Sequence, residues 1–152
     1  MKDKIKQLLE KTRDIEDEEL QSHFLNYICV LISSYLEKEL KSILKEYEKT
    51  AHFKRHECKD NIKNIKIHNA KWCSIRPIIM NIDAKIFDQL RNNINNFSRI
   101  TDSIDNIVKT RHKIAHGDNV ATLTKEILIK NLSDIDCFII ELKKYFPCVL
   151  CT

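Results

Sequence analysis

The sequence predicts an all-α fold built on one long central helix. The chain of 152 residues carries one glycine and two prolines. That is too few turn-formers for a sandwich or barrel, whose strands must reverse every few residues. Apolar residues, 43% of the chain, recur at intervals of three and four along most of its length, which is the helical period. The length is that of one ordinary domain, so residues 1–152 are expected to form a single unit around one core.

The elements follow in order. Lys2 to about Asp14 reads as a short amphipathic helix with Ile5, Leu8 and Leu9 on its inner side. The acidic run Glu16-Asp17-Glu18-Glu19 suits the positive N-terminal end of a second helix. That helix is expected from about Glu18 to Thr50. Leu20, Phe24, Ile28, Leu31 and Tyr35 form its stripe, continued by Leu36, Leu40, Ile43, Leu44 and Tyr47. Its middle is apolar nearly all round, so it should be the most buried helix. From Ala51 to about Met80 the pattern weakens; a connection or short helix is expected there, with a break at Arg76-Pro77. A helix from about Asp83 to Asn95 uses Ile86, Phe87, Leu90 and Ile94. Thr101 reads as the N-cap of the next helix, with Asp102 and Asp105 near its positive end and Ile104, Ile107 and Val108 as its buried stripe. Gly117, the only glycine, is placed to end that helix in the left-handed conformation. Thr124 is the expected cap of a last helix, with Leu128, Leu132, Ile135, Ile139, Leu142 and Phe146 inward and an end near Pro147.

The net charge of +4 permits a polyanionic partner without requiring one. The basic excess is concentrated between Lys49 and Lys71, where seven Lys or Arg face two acids. Lys54 and Arg55 in that stretch, together with Lys109 and Lys113, are the candidate contacts to an RNA backbone, and Trp72 is weighed between stacking on a base and packing in the core. No apolar run reaches the ~20 residues of a membrane span, and no secretory leader opens the chain, so a cytoplasmic protein with free thiols is expected. Cys29 and Cys137 lie in apolar helical stretches and read as core. His52, His56, Cys58, His68 and Cys73 do not match a common zinc spacing, and the Cys148/Cys151 pair has no partner pair. No metal and no cofactor is expected.

The segment that carries chemistry is Arg111-His112-Lys113-Ile114-Ala115-His116. RNA brings its own nucleophile, the 2′-hydroxyl. Its cleavage needs a proton moved and a crowded phosphate stabilised. Histidine titrates near neutrality and does the first; arginine grips phosphate with a planar, permanently charged fork and does the second. Arg111 and His116 are five residues apart, however, so an ideal helix splays them by about 140°. Either the helix end at Gly117 frees His116, or a second chain completes the site.

Arg111-His112-Lys113-Ile114-Ala115-His116-Gly117 resembles the signature of the HEPN superfamily: an Arg, a polar residue, three variable residues and a His. Leu36-Glu37-Lys38-Glu39-Leu40 resembles the "surface-Glu-x-x-Leu" helix of the RiboL-PSP-HEPN group, and the Thr122-Leu123-Thr124 entry into the last helix is similar to it as well. The resemblance implies a bundle of four to five helices, a homodimer with the two motifs facing across a cleft, and metal-independent endoribonuclease activity on single-stranded RNA. By position it makes Arg111 and His116 the catalytic pair and His112 the polar residue beside the arginine, where Asn is commoner. It also implies a toxin or phage-defence setting, with an antitoxin or a fused or associated defence protein as partner. Some HEPN toxins carry a modified tyrosine two residues after the motif histidine; Asp118 stands there, so that regulation is not carried over. A non-catalytic module that binds RNA, a nucleotide or a protein is the alternative, and a purely structural helical adaptor is a third reading.

Overall fold

The computed structural model describes residues 1–49, 67, 69–118, 120 and 122–146. Among them are six α-helices and no strand: α1 (Lys2–Lys11), α2 (Glu18–Glu48), α3 (Trp72–Ile82), α4 (Ala84–Asn93), α5 (Phe97–Ala115) and α6 (Lys125–Tyr145). A single 3₁₀ turn, Thr12–Asp14, closes α1. The protein is all-α, as the composition demands. The expected basic contacts Lys54 and Arg55, and the candidate metal ligands His52, His56, Cys58, His68, Cys148 and Cys151, lie outside the described residues.

Helix α2 is the long central helix. Asp17 caps it by accepting the Leu20 N–H at 2.8 Å, and Glu18 and Glu19 occupy its first turn. At ~1.5 Å per residue its 31 residues span about 46 Å. Its inward face is not the expected one at the N-terminal end. Leu25, Ile28, Cys29, Ile32 and Leu36 are buried, whereas Leu20 is 57% and Tyr27 47% exposed, and Phe24 and Leu31 are half-buried. Where a helix is apolar nearly all round, the three-four period has two solutions, and the neighbours choose between them. The partners here are α5 and α6: α2, α5 and α6 pack against one another, and α1 lies on α2.

Of the two expected alternatives, the described part of the weakly patterned region gives the helix, α3. Ile75, Ile79 and Ile82, spaced by four and three, are buried in α3, and the helix runs through Pro77 instead of breaking at Arg76-Pro77. Pro77 is exposed, so its ring meets solvent and the loss is confined to its own backbone hydrogen bond. Helices α3 and α4 form a pair set against α5 and α6. Trp72 joins this pair to the bundle, with ring centroids 5.3 Å from Phe97, 5.8 Å from Phe138 and 6.3 Å from Phe87. It is a packing residue.

Helix α5 starts five residues earlier than its sequence suggests, with its N-cap at Asn96 in place of Thr101. Asn96 turns the chain at φ 57° and Phe97 is the first helical residue, while the Thr101 hydroxyl donates back to the Ser98 carbonyl at 2.8 Å. Phe97 supplies the apolar anchor that a cap at Thr101 ignores. The last helix begins as expected, with Thr124 Oγ1 accepting the Ile127 N–H, and every expected inward residue from Leu128 to Phe146 is buried. Cys29 is buried, and its thiol is pushed up to about 12 by that burial, which makes it unreactive. Cys137, expected in the core, is exposed: it sits between the inward Ile135 and Phe138 on the solvent side of α6. Both are free thiols, as is Cys73.

The core also holds one charged group, Asp134 on α6, 4% exposed. It accepts from Arg99 Nη2 at 2.9 Å and from Ser103 Oγ at 2.7 Å, both on α5. A buried carboxylate needs such compensation, and here it fixes the register of α5 on α6. Register matters because it sets where the far end of α5, with the motif, emerges.

Candidate active site at the end of the motif helix

The motif occupies the last turns of α5 and the residues just past it. The helix ends in a Schellman arrangement: the Gly117 N–H donates to the Ile114 carbonyl at 3.1 Å and the Asp118 N–H to the Lys113 carbonyl at 2.9 Å. Gly117 stands at φ +78°, the left-handed geometry that glycine adopts without cost. The expected helix stop is therefore where the sequence placed it, and it lies after His116, not before. His116 itself keeps a nearly helical backbone, φ −91° and ψ 2°, and its N–H still donates to the His112 carbonyl at 3.1 Å. The break does not swing His116 back toward Arg111.

The side chains divide accordingly. Arg111 follows Ile100, Ile104 and Ile107 by eleven, seven and four residues, which sets it on the buried face of α5. It is half-buried, and its Nη1 donates to Asn69 Oδ1 at 2.7 Å. His116 is exposed and its ring lies parallel to that of His112, with centroids 6.2 Å apart and planes 9° from parallel. Among the described residues no hydrogen bond joins Arg111 to His116. Within one chain the structure thus brings His112 and His116 together and leaves Arg111 with a different partner.

Lys109, His112, Lys113 and His116 are spaced by three, one and three, so they share the solvent side of the final two turns of α5. Lys109 and Lys113 are exposed and His112 is half-buried. Two ammonium groups and two imidazoles on one face, at the end of a helix, make a surface suited to phosphates. Arg111 has no ion-pair partner among the described residues. On the other side of the helix end, a cleft of about 480 Å³ lies between α2 (Glu19, His23 and Asn26) and Ile114, Gly117 and Asp118. Its two carboxylates make it a poor place for a phosphate. A further groove of about 310 Å³ between α1 and α6 includes none of the motif residues.

Two residues at this site are not legible in the sequence pattern. One is Asn69. The other is Asp105, whose carboxylate was expected at the positive end of its own helix. It instead accepts the Trp72 N–H at 2.7 Å and so caps α3. The only advance signal for Asn69 is its type, since Asn tolerates the left-handed conformation it adopts at φ 55°. Its partner lies 42 residues away, a separation that no local pattern encodes.

No group of three or more His, Cys, Asp or Glu among the described residues is arranged to hold a metal ion. No described helix is long and apolar enough to cross a membrane. The "surface-Glu-x-x-Leu" stretch of α2 buries Leu36 and Leu40, and Glu39 pairs with Lys143 of α6 at 2.5 Å. A family model for RiboL-PSP-HEPN matches residues 2–146. No curated protein and no solved structure gives a match. With the motif, the helical bundle and the family model covering all six helices, the chain belongs to the RiboL-PSP-HEPN family, a HEPN-type domain.

Proposed function

We propose that the protein is a metal-independent endoribonuclease that cleaves single-stranded RNA with Arg111 and His116, at a cleft completed by a second copy of the chain. Membership of a HEPN family supports an RNA-related role. The observation that carries the finer reading is the state of Arg111. It is half-buried and hydrogen-bonded to a neutral amide, with no ion-pair partner among the described residues, on the helix whose opposite side carries the paired His112 and His116 rings. A fully matched structural arginine would instead meet a carboxylate, as Arg99 meets Asp134.

In this reading an imidazole takes the proton from the ribose 2′-hydroxyl, whose oxygen attacks the adjacent phosphorus. The P–O5′ bond breaks and the leaving oxygen is protonated, giving a 2′,3′-cyclic phosphate and a 5′-hydroxyl. Arg111 stabilises the charge that accumulates on the phosphoryl oxygens, and His116 moves the proton. His112, stacked on His116, orients it or supplies the second proton transfer. Lys109 and Lys113 hold the flanking backbone. The divergence of Arg111 and His116 within one chain supports the dimer, in which one copy's arginine serves a phosphate shared with the other's histidine. The exposed Leu20 and Tyr27 on α2 offer apolar area for such a contact. A toxin or phage-defence role, with an antitoxin or an associated defence protein as partner, accompanies this reading.

The test is incubation of the purified protein with single-stranded RNA in EDTA, beside Arg111→Ala and His116→Ala. Cleavage that survives chelation, yields cyclic phosphate ends and disappears in both variants is the expected result. Cleavage unchanged in both variants sinks the site, and a metal requirement sinks the mechanism. RNA binding without cleavage favours the non-catalytic module.

A further inference from the structure

We propose that Asn69 is a positioning residue for Arg111: a neutral clamp that fixes the guanidinium without neutralising its charge. The inference rests on the ribonuclease reading and adds to it a residue outside the motif.

The clamp is anchored on both sides. Ile67 and Ala70 are buried at 5% and 0% exposure. Just beyond, the Lys71 N–H donates to the Asn69 carbonyl at 2.6 Å, and the Trp72 N–H is tied to Asp105 of α5. Asn69 is thus pinned beside α5 at a fixed distance from two of its turns. Its backbone stands at φ 55°, one of two non-glycine positive φ values among the described residues. Such a conformation persists where its surroundings enforce it. What it achieves is the placement of Oδ1 2.7 Å from Arg111 Nη1.

The choice of acceptor matters. An aspartate there would hold the guanidinium equally well but would cancel its charge. The amide oxygen of Asn69 occupies one of the five N–H donors of the fork and leaves the rest for phosphate oxygens. A flexible side chain that must be aligned with a transition state gains by being ordered beforehand, since the ordering cost is then met on folding and not during reaction.

The experiment uses the full chain and two substitutions. Asn69→Gly keeps the left-handed backbone free of strain and removes only the amide. Asn69→Asp keeps an acceptor in place and adds a charge. Wild type and variants are compared for RNA cleavage, thermal melting, and the ¹⁵N-resolved guanidinium resonances of Arg111, assigned against Arg111→Lys. Asn69→Gly is expected to melt as wild type, to lose about tenfold or more in kcat/KM, chiefly in kcat, and to lose the slowed rotation of the Arg111 guanidinium. Asn69→Asp is expected to keep that slowed rotation but to raise KM and flatten the salt dependence of RNA binding. Wild-type kcat/KM in Asn69→Gly, or an unchanged guanidinium signal in it, overturns the clamp. Wild-type protein that cleaves no RNA overturns the ribonuclease reading instead, and the guanidinium signal alone then decides whether Asn69 restrains Arg111.

Discussion

Helix α5 uses charge in opposite ways at its two ends. Near its start, Arg99 and Ser103 close on the buried Asp134 of α6, and the neighbouring Ile100 and Ile104 are 1% and 0% exposed. Arg99 there is matched by the Asp134 carboxylate, and the result is a fixed helix. At its end, among the described residues, Arg111 meets only the neutral Asn69, and Lys109, His112, Lys113 and His116 lie on the outward side. There the positive charge is held in place and left unmatched. An arginine whose charge is matched inside the fold serves stability. One that is restrained but unmatched is available to an anion. A mechanistic residue is therefore better recognised by the missing partner than by its depth.

The contrast can be broken by experiment. The largest effect is expected at the open end: Arg111→Ala or His116→Ala should each lower RNA cleavage by about 10²–10⁴-fold with the melting transition in place. A comparable loss of stability instead would place Arg111 with Arg99 as a structural residue. At the closed end the effects should exchange. Ile104→Ala should destabilise by about 2–5 kcal/mol through the cavity it leaves, and Asp134→Ala by about 1–3 kcal/mol through the unpaired Ser103 and Arg99 donors. Both are read by denaturant unfolding, with activity per folded molecule retained. Gly117→Ala tests the junction. No atom lies within 4 Å of the added Cβ, so its cost is the backbone strain at φ +78°, about 1 kcal/mol. Any loss of cleavage beyond that then measures how closely His116 is placed by the helix stop.

The smallest effect is expected from pH, far from the site. The Glu141 carboxyl is held below its ordinary value of 4.5, first by the Lys144 hydrogen bond and then by Tyr145. A carboxylate with a lowered folded-state pKa contributes its stability above the unfolded value and loses it as pH falls through the folded one. Lys144→Ala should therefore be slightly less stable than wild type at neutral pH, and the two denaturant-unfolding curves should converge as pH falls through the folded-state value. Exposure of the Lys144 head group keeps that difference small.

Much of the architecture was legible beforehand because it is local. The stop at Gly117, the cap at Thr124 and the inward stripe of α6 each depend on residues within a few positions of one another. The departures arise where neighbours across the fold decide. Leu20 and Phe24 were assigned inward because α2 carries two apolar stripes, and a single sequence does not say which of them meets α5 and α6. Pro77 was read as a break because its propensity outweighs a short window, whereas the buried Ile75, Ile79 and Ile82 hold the helix together. The core reading of the Trp72 ring, favoured by its residue type, is given its partners by the fold: Phe87, Phe97 and Phe138.

At the site the same division holds. The sequence by itself determined which chemical groups are present, that they lie at the end of a helix, and that Gly117 ends it, because these follow from residue type and spacing along one helix. The tertiary structure decided that His116 stacks on His112 and stays splayed from Arg111. It also decided that Asp105 caps a different helix, and that Arg111 donates to an asparagine 42 residues distant. Those relations join segments remote in sequence through the packing of α3 and α5. Only the folded chain brings such segments within hydrogen-bonding distance.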